Sequence, residues 1–226
     1  MNGIVLVDKP AGMSSFGVVA RVRRILSQAA GKKVKVGHTG TLDPFATGLM
    51  IVAVGEYCKR AGEFSKLDKS YSATMRLGWV SSTGDPEGLI ETAVPEVQPT
   101  RDELEEALKG FVGEITQTPP IFSAIKVDGV RAYKLARSGQ PVDMPSRKVT
   151  IRGLRLDSYK YPYAAIEADV SSGTYIRTLV EDIGTELTTG AYTTALRRTR
   201  VGEYSVSDAV QIRDDMSAAE IILREI

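Results

Sequence analysis

An uninterrupted apolar run constrains the fold of this chain more than any other feature. Residues 49–55 read LMIVAVG, directly after Gly48 and ending at Gly55. A run of this length without a polar interruption predicts a strand buried on both faces, not one whose alternate side chains meet water. Other parts of the chain must therefore cover this strand from both sides.

Shorter patterns predict further strands. The N-terminal GIVLV is a short apolar run that leads into a Pro/Gly turn. Apolar and polar residues alternate in residues 69–79, and again from about residue 149 to residue 175, which is the period of a half-buried strand. The composition of SSTGDPEG, residues 81–88, predicts a loop.

Apolar spacing and capping signals predict helices. The expected caps are Ser15 for the first helix, a capping box of Thr100 with Glu103 for the second, and a capping box of Ser217 with Glu220 for a short C-terminal helix. The apolar positions at helical spacing are Val18, Val19, Val22, Ile25 and Leu26, then Leu104, Ala107, Leu108 and Phe111, and then Ile176, Leu179, Val180, Ile183 and Leu187 in a helix that ends before Gly190. Strands outnumber helices and do not alternate regularly with them, so we expect an α+β protein with a mixed, largely antiparallel sheet. Residues 1–226 are expected to form one domain.

Composition limits where the protein can be located and whether it can bind zinc. No apolar run is long enough to span a bilayer, and the N-terminus lacks the features of a signal peptide. Cys58 is the single cysteine, so an internal disulfide is excluded and a cytoplasmic location is expected. With one histidine and one cysteine, the chain is also poorly supplied with zinc ligands.

Charge is segregated along a chain whose net charge is only +1. Basic clusters occur at Arg21, Arg23 and Arg24, at Lys32, Lys33 and Lys35, at Arg131, Lys134 and Arg137, at Arg147 and Lys148, and at Arg197, Arg198 and Arg200; acidic residues collect at 102–106 and at Asp214 and Asp215. This distribution is compatible with a basic face for nucleic acid. Charge alone, however, is more typical of solvated helix faces.

The loop before the apolar run carries the chain's only histidine, His38, and an aspartate, Asp43, in GHTGTLDPFATG. It lacks the lysine of a phosphate-binding loop, and no nucleophile stands at a hydrolase motif spacing. Pro44 biases Asp43 towards an extended conformation, and a carboxylate held rigidly beside a buried strand can act as a nucleophile or base. As a bare pattern, Asp-Pro between glycines is more typical of a turn, and a lone histidine of a structural role.

This loop closely resembles the aspartate motif of the TruB family of tRNA pseudouridine synthases. Other segments resemble the family's remaining motifs in the family's order: VDKPAGMSSFGVVARVRR, DKSYSATMRLG, TPPIFSAIKVDGVRAYKLARSG, SSGTYIRTLVEDIG and ALRRTRVG. Together they cover the chain from about residue 3 to residue 205.

The resemblance implies roles for particular residues. Asp43 matches the essential aspartate, Tyr71 the tyrosine that lies against the target uracil, and Arg177 the arginine that pairs with the aspartate. His38 matches a histidine that contacts RNA beside the flipped base, and Tyr175 and Leu196 match residues that line the uracil pocket. Lys9 and Pro10 match a pair that supports the aspartate loop. Without the resemblance, Tyr71, Tyr175 and Leu196 would be read as core residues and Arg177 as a surface charge.

The resemblance also implies a function. Members of the family have a fold in which helices flank the sheet around a central RNA-binding cleft. They convert uridine to pseudouridine at position 55 in the T-loop of tRNA. The isomerisation needs no outside redox or transfer partner, so no cofactor and no metal are expected. The expected partner is the tRNA T-arm stem-loop, with no membrane and no guide RNA, and the protein is expected to be a monomer.

Three alternatives remain beside this reading. The guide-RNA-dependent branch of the superfamily usually has Ser and Lys-Val where this chain has Thr39 and Phe45-Ala46, and these differences argue against it. An RNA-binding or tRNA-folding protein with incidental catalysis is compatible with the same motifs. A glycoside hydrolase would need a second carboxylate at a defined distance from Asp43, which no motif supplies.

The chain also departs from the family pattern. After the last motif only SDAVQIRDDMSAAEIILREI follows, so the C-terminal PUA-type domain usual in the family is expected to be absent. Weaker, more salt-sensitive RNA binding is expected as a result. Phe122 stands where the family more often has tyrosine.

Overall fold

The computed structural model describes residues 1–93, 98–123, 125–127, 129–139, 141–213 and 215–225. The acidic Asp214 and the side chain of Arg137 lie outside the described parts. The chain divides into two compact units, one formed by residues 1–71 and 196–226 and the other by residues 72–195. Among the described residues, no helix is both long and apolar enough to cross a membrane.

Strands and short helices follow one another along the chain. The strands are β1 (Gly3–Lys9), β2 (Val36–His38), β3 (Thr47–Val54), β4 (Lys69–Leu77), β5 (Trp79–Ser81), β6 (Ile90–Thr92), β7 (Gly113–Gln117), β8 (Lys126–Val127), β9 (Val130–Arg131), β10 (Arg147–Lys160), β11 (Tyr163–Val170), β12 (Ala191–Val201), β13 (Tyr204–Ser205) and β14 (Val210–Gln211). The helices are α1 (Ser15–Ala30), α2 (Ala61–Ser65), α3 (Arg101–Gly110), α4 (Ala132–Arg137) and α5 (Ile176–Glu186), with 3-10 turns at Gly55–Arg60, Val206–Asp208 and Ala218–Glu220.

The first unit is built on the predicted apolar strand. Its strands lie in the order β14–β1–β3–β12, with β2 paired to β3 and β13 paired to β12. β1 and β3 are antiparallel, whereas β3 and β12 are parallel. All residues of β3 after Thr47 are buried, so the expectation of a strand covered on both faces is confirmed. One apolar cluster of this unit consists of Ile4, Leu6, Leu49, Ile51, Phe64 and Val201.

The second unit contains the long antiparallel hairpin of β10 and β11. Its strands lie in the order β12–β4–β11–β10–β7, with the first residues of β12 at one edge. Ile166, Ala168 and Val170 are buried on one face of β11, as the alternation predicts. Helix α3 packs against β10 and α5. Parallel and antiparallel pairs together with few helices confirm the α+β class and its mixed sheet.

The capping predictions were partly wrong. The capping box of Thr100 and Glu103 is present at α3, but the N-cap of α1 is Ser14, whose side chain accepts a hydrogen bond from the Gly17 N–H at 3.0 Å. Ser15 is instead the first helical residue, and its hydroxyl is used elsewhere. The box of Ser217 and Glu220 also forms, yet only one 3-10 turn follows it, because Arg224 then pairs with Ile4 of β1.

Candidate active site

Asp43 lies in the first unit, in the loop that joins β2 to β3. Its carbonyl oxygen accepts a hydrogen bond from the Ala46 N–H at 3.2 Å, so the chain turns at Pro44. The side chain of Asp43 is partly buried. Because the turn is immediately followed by the buried β3, the carboxylate is carried at the edge of the apolar core. We call residues 39–46 the aspartate loop.

A buried lysine holds the aspartate loop from the β1 side. Lys9 is fully buried, and its Nζ donates to the carbonyl oxygens of Pro10 at 2.8 Å, Met13 at 2.7 Å and Pro44 at 3.0 Å. A further hydrogen bond runs from the Gly12 N–H to the Pro44 carbonyl at 2.8 Å. The lysine thus joins the turn after β1 to the residue that follows Asp43, which agrees with the supporting role implied by the family resemblance.

Two other side chains hold the loop on the N-terminal side of Asp43. The Ser15 hydroxyl donates to the Leu42 carbonyl and accepts from the Leu42 N–H, both at 2.8 Å. Arg198 is 3% exposed and donates to the carbonyls of Gly40 and Thr41, both at 3.3 Å. The residues directly before and after Asp43 are therefore both hydrogen-bonded to buried side chains, which restricts the backbone that carries the carboxylate.

The other candidate residues of the first unit occupy strands. His38 ends β2 opposite Val52 of β3 and is partly buried. Tyr71 is partly buried in β4. Leu196 is 7% exposed in β12, and its carbonyl accepts from the Thr47 hydroxyl at 3.5 Å. The first residue of β3, directly after the aspartate loop, thus contacts the strand that carries Leu196.

Arg177 belongs to the second unit, as the second residue of α5, and it is not a surface charge. It is 3% exposed, and its Nη1 donates to the Asp85 carboxylate at 3.1 Å and to the Thr83 carbonyl at 2.7 Å. Its Nη2 donates to the Phe122 carbonyl at 2.9 Å. Phe122 contributes its backbone here, so this contact does not depend on the hydroxyl that tyrosine would add.

Asp85 was missed by the sequence reasoning, which assigned residues 81–88 only to a loop. Its side chain is 6% exposed, and its Oδ1 accepts from the Thr83 hydroxyl at 2.6 Å and from the Glu87 N–H at 3.0 Å. The loop therefore presents Oδ2 to the arginine. A signal was available, because Gly84-Asp85-Pro86 repeats the Asp-Pro pattern of Asp43 and Pro44.

A second carboxyl lies near Arg177, one helical turn further along α5. A Cβ added to Gly84 would lie 2.7 Å from Oε1 of Glu181, so this side chain reaches the backbone next to Asp85. Burial raises the pKa of Glu181 to about 7; Asp182 and Asp85 add to the increase, and Arg177 opposes it. The guanidinium thus pairs with the Asp85 carboxylate and lies near Glu181, whose pKa is raised by burial.

Tyr175 precedes Arg177 and is held through its backbone. Its N–H donates to the Gln117 side chain at 2.8 Å, and its carbonyl accepts from the same amide at 3.0 Å. The guanidinium carbon of Arg147 lies 5.0 Å from the centre of the tyrosine ring, within the range of a cation–π contact. Gln117, at the end of β7, gave no signal in the sequence. No group of three or more His, Cys, Asp or Glu residues able to hold a metal occurs among the described residues.

Comparison with solved structures identifies the class of fold. The chain matches a chain of a Cbf5–Nop10–Gar1 complex with a TM-score of 0.70 and 27% identity, over 93% of this chain and 52% of that one. It matches a chain of an H/ACA RNP bound to a substrate RNA containing 2′-deoxyuridine with a TM-score of 0.66 and 27% identity, over 92% and 50%. The chain spans about half the length of these solved chains. Its fold is that of a pseudouridine synthase.

Family comparisons identify the branch. Residues 23–176 match the TruB family pseudouridylate synthase N-terminal domain, and residues 177–225 match the tRNA pseudouridylate synthase B C-terminal domain. The chain is 44% identical to tRNA pseudouridine synthase B of Fusobacterium nucleatum subsp. nucleatum, over 91% of this chain and 70% of that protein. The corresponding enzyme of Phocaeicola vulgatus is also 44% identical, over 92% and 89%. The chain therefore belongs to the TruB family, and it is an enzyme that isomerises uridine in tRNA.

Proposed function

We propose that this enzyme isomerises the T-loop uridine at position 55 of tRNA, without a guide RNA, and that Asp43 acts directly on that uridine. The observation that carries the proposal is the support of the aspartate loop, whose residues on both sides of Asp43 are bound by Lys9, Ser15 and Arg198. A carboxylate held in this way keeps its position when a nucleotide enters, which is what catalysis by a positioned group requires.

The reaction breaks the N1–C1′ bond of uridine, turns the base, and joins C5 to C1′; the proton on C5 is then lost and N1 gains one. Asp43 can serve this sequence in three ways: by attack at C1′, by addition to C6 of the uracil, or by removal of the C2′ proton. In each case the carboxylate must be ionised and must reach a base that has left its stack, which costs a few kcal/mol.

The other candidate residues take complementary roles in the proposal. Tyr71 stacks on the flipped uracil and can accept the C5 proton at the end, while Tyr175 and Leu196 line the pocket and exclude water. Arg177 takes the role that the family resemblance implies, in which its positive charge favours the ionised form of the catalytic carboxylate in a partly dry pocket. His38 contacts RNA beside the flipped base. These roles are supported by the types of the residues and by the buried, hydrogen-bonded setting of Arg177.

The stand-alone mode is supported by the balance of similarities. Identity is 44% to bacterial enzymes named for tRNA, and 27% to chains of the H/ACA complexes. The first group supports a tRNA substrate, and the absence of an RNA guide is part of this proposal. A cytoplasmic location belongs to the same proposal.

The test uses a T-arm stem-loop RNA with tritium at C5 of its uridines. Wild type and Asp215→Asn, which alters a side chain that is 81% exposed, should release tritium from one uridine, located by mass spectrometry. Asp43→Asn should fold, as judged by its thermal midpoint, and release none. Equal release by Asp43→Asn would reduce Asp43 to a scaffold residue. Binding without release by wild type, on the stem-loop and on full-length tRNA, would instead favour an RNA-binding or tRNA-folding protein.

A further inference from the structure

Acidic residues are absent from the segment that leads to the aspartate loop. Between Asp8 and Asp43 the chain has no Asp or Glu but seven basic residues, namely Lys9, Arg21, Arg23, Arg24, Lys32, Lys33 and Lys35. In a protein with a net charge of +1, this segment concentrates positive charge along the chain, although Lys9 itself is buried. Helix α1 lies within it and carries three of these arginines. A polyanion is the partner that such a distribution favours.

The outer face of α1 also exposes an aromatic ring. Phe16, Ala20 and Arg24 are exposed and follow one another at intervals of four residues, so they form one stripe along the helix. Phe16 is 66% exposed. The buried side of the same helix consists of Ser15, Val18, Val19, Val22, Ile25 and Leu26. An aromatic ring beside arginines, on a helix that carries no acidic residue of its own, is a combination that binds single-stranded nucleic acid.

Hydrogen bonds locate this stripe relative to the aspartate loop. After α1 the chain returns along the helix, and three contacts mark its path: Val34 N–H to the Ser27 hydroxyl at 3.0 Å, Arg23 to the Val36 carbonyl at 2.9 Å, and Ser15 with Leu42 at 2.8 Å. Phe16 and Arg23 are seven residues apart, so they project from the same side of α1. Phe16 lies about two turns, or roughly 10 Å, from Arg23 towards the start of the helix, and it directly follows Ser15, whose hydroxyl is bound to Leu42 of the aspartate loop.

We propose that the face of α1 formed by Phe16, Ala20 and Arg24 is a binding surface for the tRNA loop, next to the aspartate loop. Phe16 stacks on an unpaired base that neighbours the target uridine, and Arg24 contacts a phosphate of the same strand. The proposal rests on the placement of the target uridine at Asp43. It adds a contact outside the uracil pocket and assigns a task to an aromatic side chain that the fold leaves in water.

The experiment measures binding of a T-arm stem-loop by fluorescence anisotropy over a salt series. Phe16→Ala should raise the dissociation constant about 5- to 160-fold, the range for loss of one stacking contact of about 1–3 kcal/mol, whereas Phe16→Tyr should stay within about twofold. Arg24→Ala should lower the slope of log K against log salt by about 0.7–0.9, the value for one phosphate contact. Ala20→Glu should weaken binding more than Ala20→Gln, with the difference shrinking at high salt.

The matched control is Leu89→Ala, which removes an apolar side chain that is 78% exposed in the second unit and should bind RNA as wild type does. A second readout replaces the unpaired bases one at a time by 2-aminopurine. At one position the 2-aminopurine fluorescence should be quenched when the RNA binds wild type, and it should be brighter when the RNA binds Phe16→Ala.

The two proposals can fail separately. Unchanged affinity, salt slope and 2-aminopurine signal in Phe16→Ala and Arg24→Ala, with normal tritium release by wild type, would overturn the α1 surface and leave the role of Asp43 intact. Equal losses in Phe16→Ala and Leu89→Ala would also overturn it, because the effect would not be local. Tritium release by Asp43→Asn would instead remove the proposed function on which the surface rests.

Discussion

Replacing Asp85 by asparagine tests whether a buried ion pair fixes Arg177, the arginine of the proposed active site. Asp85 and Arg177 are 6% and 3% exposed, and they meet at 3.1 Å. Asparagine keeps the size of the side chain and an oxygen for the Thr83 hydroxyl and the Glu87 N–H. Its amide nitrogen would face Nη1 of Arg177, donor against donor. The substitution therefore removes one charge-assisted contact and little else.

The magnitude follows from this geometry. A hydrogen bond to a charged group contributes about 1.5–3 kcal/mol, and loss of one partner of a buried ion pair costs about 3–5 kcal/mol. Because two of the three contacts of Asp85 survive, we expect the free energy of unfolding to fall by about 2–4 kcal/mol. If Arg177 also loses its orientation, kcat should fall at least about tenfold, the equivalent of about 1.4 kcal/mol in the barrier.

Urea unfolding followed by circular dichroism measures the free energy of unfolding, and tritium release under saturating RNA measures kcat. Asp157→Asn is the matched control, since Asp157 is 56% exposed and lies 3.9 Å from Arg155; it should change stability by less than about 1 kcal/mol. Asp85→Asn with a free energy of unfolding and a kcat equal to those of wild type would refute the reasoning. So would an equal loss in Asp157→Asn.

Two further predictions follow from the same structure. Burial raises the pKa of Glu181 to about 7 from 4.5, so its contribution to stability is complete below about pH 4.5 and is lost as the pH rises through 7. The free energy of unfolding should therefore decline between pH 5 and 8, and Glu181→Gln should remove up to about 3 kcal/mol of that decline in urea titrations. An unchanged decline in Glu181→Gln would contradict this. Gly48 has φ +104°, and a Cβ there would lie 2.2 Å from the Arg198 carbonyl oxygen. Gly48→Ala should therefore lower the thermal midpoint by about 10 °C or more, corresponding to roughly 3 kcal/mol or above, while Gly62→Ala, whose added Cβ meets nothing within 4 Å, should not lower it. Equal midpoints for the two variants would rule out the close approach of β3 and β12.

The sequence predicted elements whose signals are local. The apolar run of β3, the alternation of β11 and the capping box of α3 each depend on neighbouring residues, and each appears where expected. The error at α1 was local as well: two adjacent serines satisfy the same capping rule. Ser14 caps the helix because Ser15, the first buried position, turns its hydroxyl towards Leu42.

The sequence could not reveal which distant groups meet. Asp85 and Arg177 are separated by 92 positions, and Arg198 reaches Gly40 across 158. No periodicity or cap records such pairings, since they arise only when the strands have assembled. The family resemblance named Asp43 and Arg177, but it did not indicate Asp85, Ser15 or Gln117 as the groups that bind the backbone and side chains around them.

By itself the sequence determined the α+β class and the buried strand, and through the family resemblance it predicted the residues proposed for catalysis. Tertiary structure alone decided how those residues are held. Lys9 is an example: its ammonium group is compatible with any exposed position, yet it is fully buried with three carbonyl acceptors. A buried charge is stable only where acceptors converge on it, and that convergence is a property of the assembled fold.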